Sequence, residues 1–305
     1  MPGQPGNHRF GAPPSSQQAP GAKRSTLMFL KTGDLDIHKR LLVIGAHPDD
    51  CEYVAGIALK MKAHGFEVRY LMATNGSAGH HQTPGAAIVN RRQKEVERVA
   101  ALAGFSFEIL DLEDGRLTAD LHSRDVMLAA IRRFDPGIII THRPFDYHPD
   151  HRATSMLVQD CSYLLLVPGI CPLTPPMRRA PAIFYMQDTF KRPCPFRPDI
   201  VFDITAEYDL KMRMIHQHTS QMYEWLPWVD GVPAEEVPEG DRERLDWLKA
   251  SPLGQRSLDY ARLFREQLVA RYGAAGEGIQ YAEALEACEY GRQLSADELN
   301  SVFPL

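Results

Sequence analysis

The run Leu41-Leu42-Val43-Ile44-Gly45-Ala46-His47-Pro48-Asp49-Asp50 joins a short aliphatic stretch to a turn dense in ionisable groups. Four consecutive aliphatic residues closed by a glycine suit a strand buried on both faces, which needs no alternation with polar residues. Working outward, comparable runs recur at 68–72, 107–110 and 138–140. Between them the apolar spacing predicts helices over about 53–64, 87–103, 120–134 and 153–166. Gly65 and Gly104 stand where the first two helices should end, positions that favour a residue able to take positive φ. Strands alternating with helices predict an α/β chain: a three-layer sandwich with a mostly parallel sheet, whose ligands gather at the carboxyl ends of the strands.

The flanks of this core differ in texture. Residues 1–36 are expected to form a disordered tail, because the first 25 or so are rich in Pro, Gly, Ser and Gln, without acidic residues or apolar periodicity. The core is expected over 37–222. A Pro-rich loop spans 167–181, two further strands are expected at 182–186 and 200–204, and a helix at about 207–222. The remainder, 223–305, reads as a helical C-terminal cap or extension, with Trp225, Trp228 and Trp247 near its start.

The chain of 305 residues carries 39 acidic against 34 basic side chains, a net charge of -5. That balance disfavours tracking of nucleic-acid phosphates. No apolar run approaches the ~18 residues of a membrane span, and the N-terminus lacks the pattern of a signal peptide, so a cytoplasmic location is expected. The five cysteines are scattered and form no C-x-x-C pair, which suggests neither a disulfide framework nor a thiolate metal site.

The chemistry concentrates in two copies of one tripeptide, His47-Pro48-Asp49 and His148-Pro149-Asp150, each following a strand-like run. The first continues with Asp50 and the second with His151. Imidazole and carboxylate donors suit a zinc-type divalent ion, and a catalytic zinc keeps three protein ligands and one open position. If His47, Asp50 and His151 take the metal, Asp49, His148 and Asp150 remain for proton transfer beside it. Asp49 then serves as the base for water, while His148, oriented by Asp150, stabilises the tetrahedral intermediate and protonates the leaving amine. Proline at 48 and 149 stiffens each turn, so that neighbouring carboxylates can face different ways.

With these elements in view, the sequence resembles the PIG-L/LmbE-like zinc-dependent N-deacetylases. The resemblance is carried by Ala46-His47-Pro48-Asp49-Asp50, Thr74-Asn75-Gly76, Arg92-Gln93-Lys94-Glu95, Asp114-Gly115, Asp146-Tyr147-His148-Pro149-Asp150-His151 and His218-Thr219-Ser220-Gln221. Tyr281-Ala282-Glu283 and Glu289-Tyr290-Gly291 are similar to C-terminal segments of one branch. It implies a Rossmann-like fold, zinc held by His47, Asp50 and His151, Asp49 as base, and His148 on the oxyanion side with Asp150 behind it. It further implies that Arg92 and Asp114 bind the sugar, and that the reaction removes acetyl from an N-acetylated amino sugar or its conjugate. Many members place Glu where this chain has Cys51, which is read here as a packing residue.

Other readings attach to several of these residues. Arg92 and Glu95 stand one helical turn apart, as in a surface ion pair, and Asp114 suits the turn before Gly115. His218 suits a helix core, His80 and His81 a flexible loop, and Tyr147 could donate to the intermediate. Two other functions compete with the first. One is an amidase acting on a non-sugar N-acyl conjugate. The other is a nucleotide-binding module without catalysis, disfavoured because the carboxylates after Gly45 would repel a pyrophosphate. A homo-oligomer is expected.

Overall fold

The computed structural model describes residues 37–303. The tail expected over 1–36 therefore lies outside the described residues. The strands are β1 (Arg40–Gly45), β2 (Glu67–Thr74), β3 (Ser106–Leu112), β4 (Ile138–Thr141), β5 (Ala182–Met186), β6 (Ile200–Asp203) and β7 (Ala282–Ala287). They form one sheet in the order β3-β2-β1-β4-β5-β7-β6. The first five pair in parallel, and β7 runs antiparallel to both β5 and β6. The fold is thus the expected α/β sandwich, mostly parallel with helices on both sides.

The crossover helices are α1 (Ala55–Ala63), α2 (Ala86–Ala103), α3 (Leu121–Phe134) and α4 (Pro149–Leu164), and α5 (Tyr208–Ile215) follows β6. Leu41 and Val43 point into the core shared with α1, α2 and α5, whereas Leu42 and Ile44 point into that shared with α3 and α4. A strand with period two and a hydrophobic layer on each side must be aliphatic throughout, which accounts for the uninterrupted run in β1.

Two elements depart from the sequence expectation. The fourth helix begins at Pro149 rather than near 153: His148 is its N-cap and Pro149 occupies the first helical position, where no N–H is needed. Its first turn faces the polar end of the sheet and carries no apolar residue, so apolar spacing detects the helix only from Ala153. The second departure is β7, which falls within the segment read as helical. Ala, Glu and Leu favour helix intrinsically, but the sheet overrides that preference by seating 282–287 between β5 and β6. The rest of that region is helical, as α6 (Leu226–Val229), α7 (Asp241–Ala250), α8 (Pro252–Leu263), α9 (Arg265–Tyr272) and α10 (Ala296–Val302). The helix expected over 207–222 stops at Ile215 and is followed by a π-helical turn, Gln221–Trp225. Among the described residues no helix is long and apolar enough to cross a membrane.

Strand β7 also holds the start of α1. The fully buried Glu283 carboxylate accepts the Gly56 and Ile57 N–H groups at 3.1 and 2.8 Å, and Lys211 Nζ of α5 donates to it at 2.6 Å. Lys211 Nζ and Gln187 Nε2 both donate to the Tyr53 carbonyl just before α1. Removing one member of a buried pair leaves the other charge uncompensated, at a cost of about 3–5 kcal/mol. Glu283→Ala is therefore expected to lower unfolding stability by about that amount, read as a shift of the urea midpoint. An unchanged midpoint would refute this role.

Candidate metal centre and its surroundings

Strand order reverses between β1 and β4, and such a switch point opens a crevice at the carboxyl ends of the strands. The two strands are in register, Ile44 opposite Thr141, so the turns leaving them emerge side by side. One turn carries His47 to Asp50, and the other leads to the first helical turn with His148 to His151. The two His-Pro-Asp segments therefore meet.

At their meeting point three donors converge. His47 Nδ1 lies 3.3 Å from Asp50 Oδ2 and 3.2 Å from His151 Nε2, and His151 Nε2 lies 3.4 Å from Asp50 Oδ1. Donor atoms placed tetrahedrally around an ion with bonds of about 2.0–2.1 Å are separated by about 3.3–3.4 Å, so the spacing of the two imidazole nitrogens suits a shared zinc-sized ion, while Asp50 faces each imidazole through a different oxygen. Their outer faces are prepared for it. His47 Nε2 donates to Asp114 Oδ1 and Asp150 Oδ2, each at 3.2 Å, and His151 Nδ1 donates to Asp146 Oδ1 at 3.0 Å. Carboxylates on the far nitrogens leave the near nitrogens as acceptors, the usual support of a metal-binding histidine.

The electrostatics agree with that geometry. Burial by itself would lower the pKa of His47, yet hydrogen bonds to Asp114, Asp150 and Asp50 hold it well above the ordinary imidazole value. His151 is likewise raised, to about 9, because Asp50 and Asp146 outweigh its burial. Despite its own burial, Asp50 is held well below the carboxylate range by His151 and His142. The centre draws positive charge, whether proton or metal, and a metal must displace the protons.

His142 and Asp146 were not singled out from the sequence. His142 Nε2 stands 3.2 Å from Asp50 Oδ2, accepts the Ala46 N–H at 3.1 Å, and its ring stacks on His151. With that nitrogen accepting from backbone it has no proton for Asp50, and its ring packs behind Asp50 and His151. Among the described residues, donor groups close enough to share an ion include Asp50/His142/His151, His47/His148/His151 and His47/Asp114/Asp150. Asp146 stands in the second motif segment without a role assigned from the sequence, and the signal for His142 was its position directly after β4.

The second carboxylate of the first motif faces elsewhere. Asp49 Oδ1 accepts from Arg92 Nη2 at 2.5 Å at the edge of the cavity. Burial raises its pKa, Arg92 pulls it down, and neighbouring Asp50 pushes it up, with a raised value as the result. Arg92, expected to contact a sugar, is only 2% exposed and is committed to Asp49. Gly76 and Gly79 make room for it: a Cβ at either position would come within 3 Å of its side chain, and Gly76 also has φ +71°. Asp114, the other expected sugar contact, holds His47 through Oδ1 and accepts the Ala78 and Gly79 N–H groups through Oδ2. These contacts overcome burial and bring its pKa to about 2.

Asp150 does not orient His148 through its carboxylate, a correction to the sequence reading. That carboxylate is fully buried and accepts from His47 and from the Gly115 and Leu117 N–H groups at 2.7 and 3.2 Å. The helix start turns the side chain of 150 inward, and only the backbone N–H of Asp150 reaches His148 Nδ1, at 3.2 Å. His148 consequently carries its proton on Nε2. Burial and the neighbouring imidazoles lower its pKa and keep it neutral.

The supporting residues also fall into place. Cys51 is buried with Sγ toward the Val43 carbonyl, and burial pushes its thiol up, so it packs as expected. Glu52 and His218 form a buried pair at 3.2 Å. Arg92 and Glu95 do not pair with each other. Glu95 is fully buried and accepts from the Ser220 N–H, Ser220 Oγ and Thr219 Oγ1, tying α2 to the segment before the π turn. His80 reaches Glu224 at 3.0 Å, and His81 stacks between His80 and Trp228. Tyr147 is largely exposed at the cavity edge.

Comparison with known proteins adds family relationships. Residues 42–162 match the family described as PIG-L: GlcNAc-PI de-N-acetylase. The chain is 29% identical over 205 residues to diacetylchitobiose deacetylase of Thermococcus kodakarensis, covering 62% of this chain and 73% of that one. It is 26% identical over 196 residues to 4-oxalmesaconate hydratase of Pseudomonas putida, covering 61% and 76%. The crystal structure of N,N'-diacetylchitobiose deacetylase from Pyrococcus horikoshii shares the fold with a TM-score of 0.61 at 22% identity, over 84% of this chain and 88% of that one.

Because Asp150 supports His47, Asp150→Asn is expected to weaken metal affinity about 10–100-fold, measured by competition with a chromogenic chelator. Affinity equal to that of the unmodified protein would show that Asp150 does not act through His47.

Proposed function

From the PIG-L family domain that residues 42–162 carry, we propose that this chain is a zinc-dependent hydrolase removing an acetyl group from an N-acetylated amino sugar or its conjugate. The observation that carries the reading is the convergence of His47, Asp50 and His151, with Asp49 lining the same cavity. The three convergent residues would hold the ion. When bound, such an ion acts as a Lewis acid and makes water acidic enough to lose a proton near neutral pH.

The chain's own groups account for the rest of the reaction. Asp49 takes the proton of the attacking water, with Arg92 donating to one of its oxygens. His148, with its proton on Nε2, donates to the acyl oxygen as negative charge develops there. The proton collected by Asp49 then passes to the departing amine, and acetate and a free amino compound result. Asp114, Asp150 and Asp146 act through the imidazoles they hold.

The Thermococcus relative's name supports deacetylation of an N-acetylated sugar. The Pseudomonas relative's name makes hydration the second reading, and a non-sugar N-acyl amine is the third substrate class. Acetate release from N-acetylglucosamine and diacetylchitobiose, run beside N-acyl amines and an unsaturated dicarboxylate, separates them. Asp49→Asn is expected to retain stoichiometric metal by elemental analysis while losing at least about 100-fold in acetate release. Full activity in that variant would remove Asp49 as the base, and turnover of the unsaturated acid alone would replace the deacetylase reading.

A further inference from the structure

Behind the candidate metal centre lies a second cavity, smaller than the main one, with a volume of about 170 Å³. At ~30 Å³ per water that is room for about six waters, and it falls below the ~300 Å³ at which pockets for drug-sized ligands begin. Such a space suits a ligand of a few heavy atoms. Its inner end is lined by His142, Asp146 and His151 from the metal centre, and its outer end by Thr189, an exposed residue of the loop after β5. Tyr53, Tyr147, His151 and Arg256 line both this cavity and the main one, so a layer one side chain thick divides them.

The charges around the smaller cavity are matched except for one. Asp146 receives His151 Nδ1 and the His148 N–H, and Asp188 receives Arg143 Nη1, whose guanidinium also meets Glu286. Arg256 of α8 forms no ion pair among the described residues. Its guanidinium lies 4.8 Å from the centroid of the Tyr53 ring, and its electrostatic neighbours are the phenols of Tyr53, Tyr260 and Tyr147. Tyr260, one turn further along α8, is only 3% exposed and lines the smaller cavity but not the main one. Its hydroxyl has no hydrogen-bond partner among the described residues. A guanidinium without a counter-ion, close to a buried hydroxyl without an acceptor, is completed by a carboxylate, which brings one negative charge and two accepting oxygens.

We propose that the smaller cavity binds the small carboxylate product, acetate, and lets it leave past Thr189 while the amine still occupies the main cavity. The inference rests on the deacetylase reading and adds the order in which the two products depart. Hydrolysis leaves acetate at the metal end, with the amino product between it and the mouth of the main cavity. On the far side of the dividing layer, Arg256 and the Tyr260 hydroxyl supply the donors that the carboxylate needs once it has left the centre. Tyr147, 69% exposed, is the least buried member of that layer and turns aside with little loss of packing.

Product inhibition of the zinc-loaded full-length protein tests the order of release. With N-acetylglucosamine as substrate, each product is added in turn while formation of the other is followed. Acetate that leaves first inhibits noncompetitively against the sugar, and glucosamine inhibits competitively. Competitive inhibition by acetate overturns the proposal. Arg256→Gln is expected to raise the acetate inhibition constant at least about tenfold and Tyr260→Phe about fivefold. Thr189→Trp, at an exposed position, is expected to make acetate competitive. A constant and a pattern unchanged in all three variants overturn the site. Binding of isotope-labelled acetate to the same zinc-loaded proteins, followed by nuclear magnetic resonance, separates this inference from the reading beneath it. Acetate binding that weakens in Arg256→Gln, in a protein that hydrolyses no N-acetyl sugar, keeps the carboxylate site and removes the deacetylase reading. Acetate release from the sugar with competitive inhibition by acetate does the reverse.

Discussion

The structure turns on the need to neutralise a cluster of buried acids. Asp50, Asp114, Asp146 and Asp150 crowd around His47 and His151, with Glu52 and Asp49 close by. Carboxylates removed from water persist only when each is matched by donors or cations. Here the donors are shared out with little redundancy. Asp150 takes two backbone N–H groups and His47, Asp114 takes two others and His47, and Asp146 takes His151. What remains is a central point faced by two imidazole nitrogens and the Asp50 carboxylate, where positive charge is favoured. The same arrangement that makes the acids tolerable also creates the site for a cation.

The fold supplies the backbone donors and holds them still. Parallel strands end in turns whose N–H groups have no strand partner, and α4 adds its free first turn. Asp49 is separated from Asp50 by the tight turn after β1, in which the N–H groups of both return to the His47 carbonyl. That turn sends one carboxylate to the centre and the other to Arg92. Behind it, Glu283 and Lys211 fasten the beginning of α1 to the last strand of the sheet. A strand from near the end of the chain thus stabilises a motif from near its start.

The lining of the main cavity comes from two parts of the chain. Most of the ionisable lining residues lie in the segment that matches the PIG-L family, 42–162, and Gln221 to Arg256 of the lining lie beyond it. The two segments are joined through Glu95 with Ser220 and Glu224 with His80.

Much of this was legible in the residues themselves. Aliphatic runs of strand length, alternating with helical spacing, determined the parallel sandwich, because a strand covered on both faces admits no other composition. The paired His-Pro-Asp motifs identified the side chains that meet at the centre, because histidine and aspartate after a strand have few structural reasons to recur together. Tertiary structure decided what those side chains hold. That Asp150 serves His47 and that His142 stands behind Asp50 follow from β1 and β4 lying side by side, and that Arg92 is turned onto Asp49 follows from α2 lying against the turn after β1; neither is encoded by a local pattern. The placement of 282–287 in the sheet was equally hidden. Its composition favours a helix, and only the gap between β5 and β6, with the α1 N–H groups waiting for Glu283, makes it a strand.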